Sequence, residues 1–240
     1  MNGAFLNAFG ILFGAIFGLA LRNPPSAHAQ NFFRQLLGAA TIFSGLRLVW
    51  LNVNGTLLSC SRQIFIALLA VVLGNLAGKI LGLQNISNRF GRFAGNLIKN
   101  PRTDPSGKAG DGFNACTILF CAAPLGLLGA ATDGLSGDFY LLAVKAVMDG
   151  LAMSSFVKLF GWFTALSAFP VFIFFGAFKL AVQFYAKPFL DSHHLIYAVN
   201  ATAGFVACAV ALVIFEVRKV ELANYLAALA VAPLLTWLLT

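Results

Sequence analysis

Apolar runs of about twenty residues, separated by short polar breaks, recur along the whole chain. That is the length at which an α-helix crosses the hydrocarbon core of a bilayer. Eight such segments are read: 4–21, 33–51, 63–83, 113–131, 138–157, 160–184, 195–215 and 221–239. Helices are the expected form, because only helices and closed barrels satisfy their backbone in lipid. Barrel strands would show short alternating segments instead. The expected fold class is all-α: a polytopic transmembrane helical bundle of about eight helices, with residues 1–240 forming a single integral membrane domain.

Composition agrees with the pattern. Of the 240 residues, 60% are hydrophobic and 10% charged, against about 25% charged in a soluble domain. Mean hydropathy is +0.86. The net charge of +8 raises nucleic acid as a partner, but its distribution argues otherwise. Arg89, Arg92, Lys99, Arg102 and Lys108 sit in one long polar connection, 84–112. Positive residues mark the cytoplasmic side of a membrane protein, so this is read as a basic cytoplasmic loop. Lipid headgroups are a further reading of it. Arg22, Arg34, Lys158, Arg218 and Lys219 fall on the same side in an eight-span path, and Arg47, Arg62 and Lys187 on the other. Both termini then lie outside.

Ala27-His28-Ala29 resembles a signal-peptide cleavage site, but no positive residue precedes the first apolar run, as a signal peptide requires. That run instead carries Gly10, Gly14 and Gly18, a spacing that lets a second helix approach closely. The four cysteines form no Cys-x-x-Cys pair and are read as buried hydrophobes. Asp191, His193 and His194 are read as solvated loop residues, since two histidines without a firm third ligand make a poor metal signal. No cofactor and no metal are expected.

Short matches recur at nearly one offset. Ile11–Ala15 resembles Ile173–Ala177, Ala39–Phe43 faces Ala201–Phe205, and Ala67–Val71 resembles Ala227–Val231. They pair segments 1–3 (within 1–83) with segments 6–8 (within 160–240). With eight spans the two units run in opposite directions, an inverted three-helix repeat around a central hairpin, 113–157. Inverted repeats recur in transporters, with the substrate near the repeat interface. Chance similarity of apolar helices is the other reading.

The hairpin holds the ionisable residues. In a helix begun near Asp138, Lys145 and Asp149 fall about 20° to either side of it. Such a stripe faces the bundle interior or water, since a charge at mid-membrane costs at least about 2.5 kcal/mol. Lys145 and Asp149, four residues apart, can pair directly. Asp138 follows Gly137 and reads as an N-cap. Asp133 falls in an Asp-Gly-Leu-Ser-Gly-Asp turn at the outer surface, where glycines and carboxylates can meet a hard cation. Plain roles stand beside these: a cap, a solvated turn, a pair that only holds helices together. Asn114, Thr117 and Cys121 recur at helical spacing ahead of Pro124, which can open the helix. Lys179 is a further candidate, or a snorkelling lysine.

Residues 117–177 resemble the bacterial multi-pass membrane proteins catalogued as domain of unknown function 554. The resemblance rests on Phe120-Cys121, Gly129-Ala130, Asp133-Gly134-Leu135, Gly137-Asp138, Leu142, Lys145, Asp149-Gly150, Ser167-Ala168 and Pro170, and continues more weakly over most of the chain. It departs at Phe175-Gly176, where the family often has Gln-Gly, and at Lys79, where it often has an acid. It implies a bacterial cytoplasmic-membrane protein and no known activity.

The leading expectation is a transporter or channel for a small ion or polar solute. Lys145 and Asp149 are its central pair, and Asp133 and Asp138 its outer mouth. The alternative is a structural or regulatory membrane protein whose ion pair only stabilises packing. No nucleophile–base arrangement is visible, so an enzyme is not expected. The partners expected are the lipid bilayer and a small ion or solute, with a homo-oligomer left open and no nucleic acid.

Overall fold

The computed structural model describes residues 1–21, 26–218 and 220–239. Arg22 and Lys219, used above for sidedness, lie outside the described residues, whose regular structure is all helical. Twelve helices follow in order: α1 (Asn2–Ala20), α2 (Ala27–Asn52), α3 (Leu57–Ile80), α4 (Leu83–Lys99), α5 (Pro105–Ala122), α6 (Pro124–Ser136), α7 (Tyr140–Phe160), α8 (Ala168–Ala181), α9 (Lys187–Ser192), α10 (Ile196–Ile214), α11 (Leu222–Tyr225) and α12 (Ala228–Leu239). A 3₁₀ turn, Trp162–Ser167, leads into α8, and a π turn, Val182–Ala186, joins α8 to α9.

Among the described residues, six stretches are long and apolar enough to cross a membrane: α1, α3, α7, Trp162–Ser192, α10 and Leu222–Leu239. The pair α5–α6, bent by 56° at Ala123–Pro124, makes a seventh if it is one broken span. The eight segments of the sequence reading differ from these by α2. It has 26 residues but carries Arg34, Arg47 and several amides, and is less apolar than the rest.

Local chemistry sets the ends. Thr56 accepts the Ser59 N–H at 3.3 Å, and Asp104 accepts the Gly107 N–H at 2.6 Å with Pro105 following at the first helical position. These are standard N-terminal caps. The Gly107 N–H and the Ser106 hydroxyl hold the Asp104 carboxyl below its ordinary range. The break after Ala122 is the proline's work, because Pro124 has no N–H to continue the ladder.

The connection 84–112 is not a loop. Its first half is α4, on which Leu83, Ile86, Phe90, Ala94 and Leu97 share one face while Arg89, Arg92 and Lys99 occupy the other. Reading the charges alone concealed that 3.6-residue period. The apolar face packs against α5.

Small residues decide how the long helices meet. Gly10, Gly14 and Gly18 of α1 lie on Ala146, Gly150 and Ser154 of α7. Numbers rise together along this seam, so the helices run parallel. A Cβ on Gly14 would sit 2.1 Å from the Gly150 carbonyl oxygen, so only glycine fits. The other face of α1 shows Phe9, Phe13 and Phe17 outward. Three further contacts are antiparallel. Phe5 of α1 meets Phe172 of α8 with ring centroids 4.7 Å apart, and Met1 approaches Gly176. In α2 and α10, Gly45 meets Gly204 and Asn52 meets Asn200. In α3 and α12, Gly74 meets Ala228 of α12, and Gly78 meets Asn224 just before it.

Candidate functional site

Lys145 and Asp149 lie one turn apart on α7, and the Lys145 ammonium donates to Asp149 Oδ2. Lys145 is 1% exposed and Asp149 7%. Such burial of a charged pair is costly and is a default sign of function in a membrane protein. Four other elements close around it. From α5, the Phe120 ring lies 5.8 Å from the ammonium. From α8, the Phe175 ring lies 5.2 Å from it. Both are within cation–π reach. From α6, Gly126 provides the space: a Cβ there would fall 2.5 Å from Lys145 Cε and 2.4 Å from Phe175 Cζ. From α1, fully buried Asn7 sits beside the Asp149 carboxylate without closing a well-formed hydrogen bond to it.

The helix break opens next to this pair. Cys121, just before it, lies within electrostatic reach of Lys145 and Asp149. The Thr117 hydroxyl, one turn earlier, is buried with no hydrogen-bond partner among the described residues. Asn114 is exposed and takes no part.

The other two candidate residues lie elsewhere. Asp138 pairs with Arg47 of α2, and the Arg47 guanidinium lies 4.4 Å from the Tyr140 ring. Asp138 Oδ1 also accepts the Tyr140 N–H at 3.2 Å, capping α7 from one residue further back than the helix's own cap position. Asp138 is therefore separated from the Lys145–Asp149 stripe. Asp133 is not in an exposed turn. It belongs to the last turn of α6 and is 5% exposed. Its Oδ2 faces Gly3 so closely that a Cβ there would lie 2.9 Å away, and it attracts the Met1 amine. A carboxylate at that place complements the positive end of α1. The turn begins later, at Gly137, with φ +75°. Gly134 instead lets α6 approach the Lys179 carbonyl oxygen, where a Cβ would come within 2.8 Å.

Lys179 donates to Gln183. Asp191 ends in α9, and His193 and His194 are exposed just after it. No group of three or more potential metal ligands occurs among the described residues.

Sequence reading missed Asn7, Gly126 and the partners of Asp138 and Asp133. Asn7 had a signal, as the only polar side chain inside the first apolar run. Phe175 had one too, as a departure from the family pattern that proves to touch the Lys145 ammonium.

The family model described as protein of unknown function DUF554 matches residues 2–237. The chain belongs to this family. It is 22% identical over 239 residues to the uncharacterized membrane protein YdfK of Bacillus subtilis (strain 168), covering 100% of this chain and 97% of that one. It is 25% identical over 233 residues to the uncharacterized protein YqgA of Escherichia coli (strain K12), covering 96% and 94%. No solved structure matches the chain. The comparisons fit a membrane protein of several apolar helices and leave its activity open.

Proposed function

We propose that this protein is a transporter or channel for a small ion or polar solute, and not an enzyme. The observation that carries the reading is the Lys145–Asp149 pair, sealed between five helical elements beside a broken helix. A paired charge at this depth adds little to stability over apolar packing, so its presence asks for another purpose. Asp149 exchanges lysine for a proton or a cation during the cycle. Broken helices beside buried charges are how transporters build their sites.

The antiparallel meetings of α1 with α8, α2 with α10 and α3 with α12 support an inverted repeat, with α5–α7 between its halves. These are the pairs that the sequence matches relate. In this reading α2 is the eighth span, the 84–112 connection is cytoplasmic, and both termini face outward across a bacterial cytoplasmic membrane. Asp133 and Asp138 remain candidates for the outer mouth, held at the ends of α6 and α7.

A second reading has its own support. The pair is so well covered that it can serve as a lock between α7 and its neighbours. Cysteines placed along 138–149 separate the two readings, since an aqueous thiol reagent reaches them in a transporter and not in a dry lock. The decisive test is Asp149→Asn. A thermal-shift screen of cations, amino acids and small organic acids finds a ligand that stabilises wild type and not the variant. Flux of that ligand into liposomes is then lost in the variant, and retained flux overturns the assignment.

A further inference from the structure

α4 is sharply two-faced. Part of its apolar face packs on α5, but Ile86, Phe90 and Phe93 stay 50%, 49% and 56% exposed. A helix with cations on its polar face and phenylalanine on the other lies at the boundary of headgroups and acyl chains. Two hollows meet on α4. The first is a cavity of about 410 Å³ between α4, α5 and α6, with Leu83, Ile86, Phe90, Leu127 and Phe174 in its wall. That volume is in the range of small-molecule sites. Its surface is almost wholly apolar, and Ile86, Phe90 and Phe174 are exposed beside it, so it opens to acyl chains. The second is a polar groove along α4 that holds Asn88, Arg92, Asn96 and Lys99. Gly91 and Gly95 form its floor, and a Cβ on either would meet nothing within 4 Å, so no neighbouring element fills it. Ser87 lines both hollows.

The charge here is of one sign. α4 carries no acidic residue, and the salt bridges among the described residues engage neither Arg89, Arg92 nor Lys99. Arg89 and Arg92, three residues apart, are neighbours on the helix surface. We infer that α4 and its two hollows form a binding site for one anionic phospholipid. An acyl chain enters the apolar cavity. The phosphate lies past Ser87 on Arg92, with Arg89 one turn back beside it. The cavity alone would take the chain of any lipid, and the unpaired cations set the preference for a negative headgroup. The site draws on neither Lys145 nor Asp149 and stands apart from the transport reading.

The test uses the full chain in micelles that hold equal amounts of phosphatidylglycerol and phosphatidylcholine with identical acyl chains. Native mass spectrometry counts the lipid that stays bound. Each cation near an anionic lipid is worth about fivefold in affinity, so Arg89 and Arg92 together should favour phosphatidylglycerol by about twenty-five-fold. Arg92→Gln should lower that preference about fivefold, and Arg89→Gln with Arg92→Gln should nearly abolish it. Both arginines are exposed, so these variants keep the fold. Lys158→Gln, which removes an exposed cation outside α4, should leave the preference unchanged. Leu127→Trp, which fills the cavity, should lower phosphatidylglycerol occupancy. Glycerol phosphate, a headgroup without chains, should not displace the lipid. Equal binding of the two lipids would overturn the inference and mark the cavity as a site for any chain. An equal loss of preference in Lys158→Gln and Arg92→Gln would also overturn it, because overall charge would then be the cause. Displacement by glycerol phosphate would overturn it in favour of a free-anion site. If Leu127→Trp does not fold, the arginine variants and glycerol phosphate still decide.

Discussion

Lys145–Asp149 and Arg47–Asp138 are both cation–carboxylate pairs anchored on or just before α7, yet their surroundings differ. The first is closed in by α1, α5, α6 and α8, with side chains 2% and 9% exposed. The second joins α2 to the α6–α7 turn, and its arginine side chain is 34% exposed while its carboxylate side chain is 8% exposed. The half-buried arginine keeps part of its hydration, so its pair costs less to form than one with both partners buried. The buried pair gives up its water and recovers the cost only through its own contact and the two rings. One pair ties elements together. The other is sensitive to any change that leaves one charge alone.

The sharpest break of this contrast is Lys145→Ala, which strands the Asp149 carboxylate. It should cost about 3–5 kcal/mol, while the double change Lys145→Met with Asp149→Leu should cost less. Urea unfolding in micelles measures both, and equal losses would show that the pair is a net stabiliser. Next in size is Gly126→Ala, whose methyl has no room beside Lys145 Cε and Phe175 Cζ. Overpacking of this kind costs about 1–3 kcal/mol, read in the same unfolding experiment. Arg47→Ala should cost less than Lys145→Ala, because Asp138 keeps the Tyr140 N–H at 3.2 Å after the arginine is lost, and a loss equal to that of Lys145→Ala would erase the distinction between the pairs. The smallest effect belongs to Asp104, an exposed carboxylate without a cation as its main partner. Its carboxyl is lowered by the Gly107 N–H, so its capping contribution is full above the ordinary aspartate range and fades as pH falls through the folded value. Protection of the Gly107 amide against hydrogen exchange, relative to its intrinsic rate at each pH, should fall on that descent in wild type and show no such step in Asp104→Asn.

What the sequence made legible follows from range. Lys145 and Asp149 share a helix, and their four-residue spacing dictates their contact. Pro124 breaks its own helix. Arg47 and Asp138 are separated by 91 positions, and no local period brings them together. Asp133 was misplaced because Gly134 and Gly137 looked alike as turn glycines. One turns the chain with a positive φ, and the other clears space for a neighbouring backbone. The glycine stripe of α1 announced a close neighbour but could not name it.

That stripe carries a consequence for synthesis. The surface complementary to Gly14 is Gly150, 136 residues later by subtraction. At roughly 5–20 residues per second, the ribosome takes on the order of ten seconds to supply it. Through that interval the first helix waits in the membrane with its glycine groove covered by lipid or by a borrowed partner. Folding at this seam is then an exchange, in which α7 evicts whatever has been lodging there.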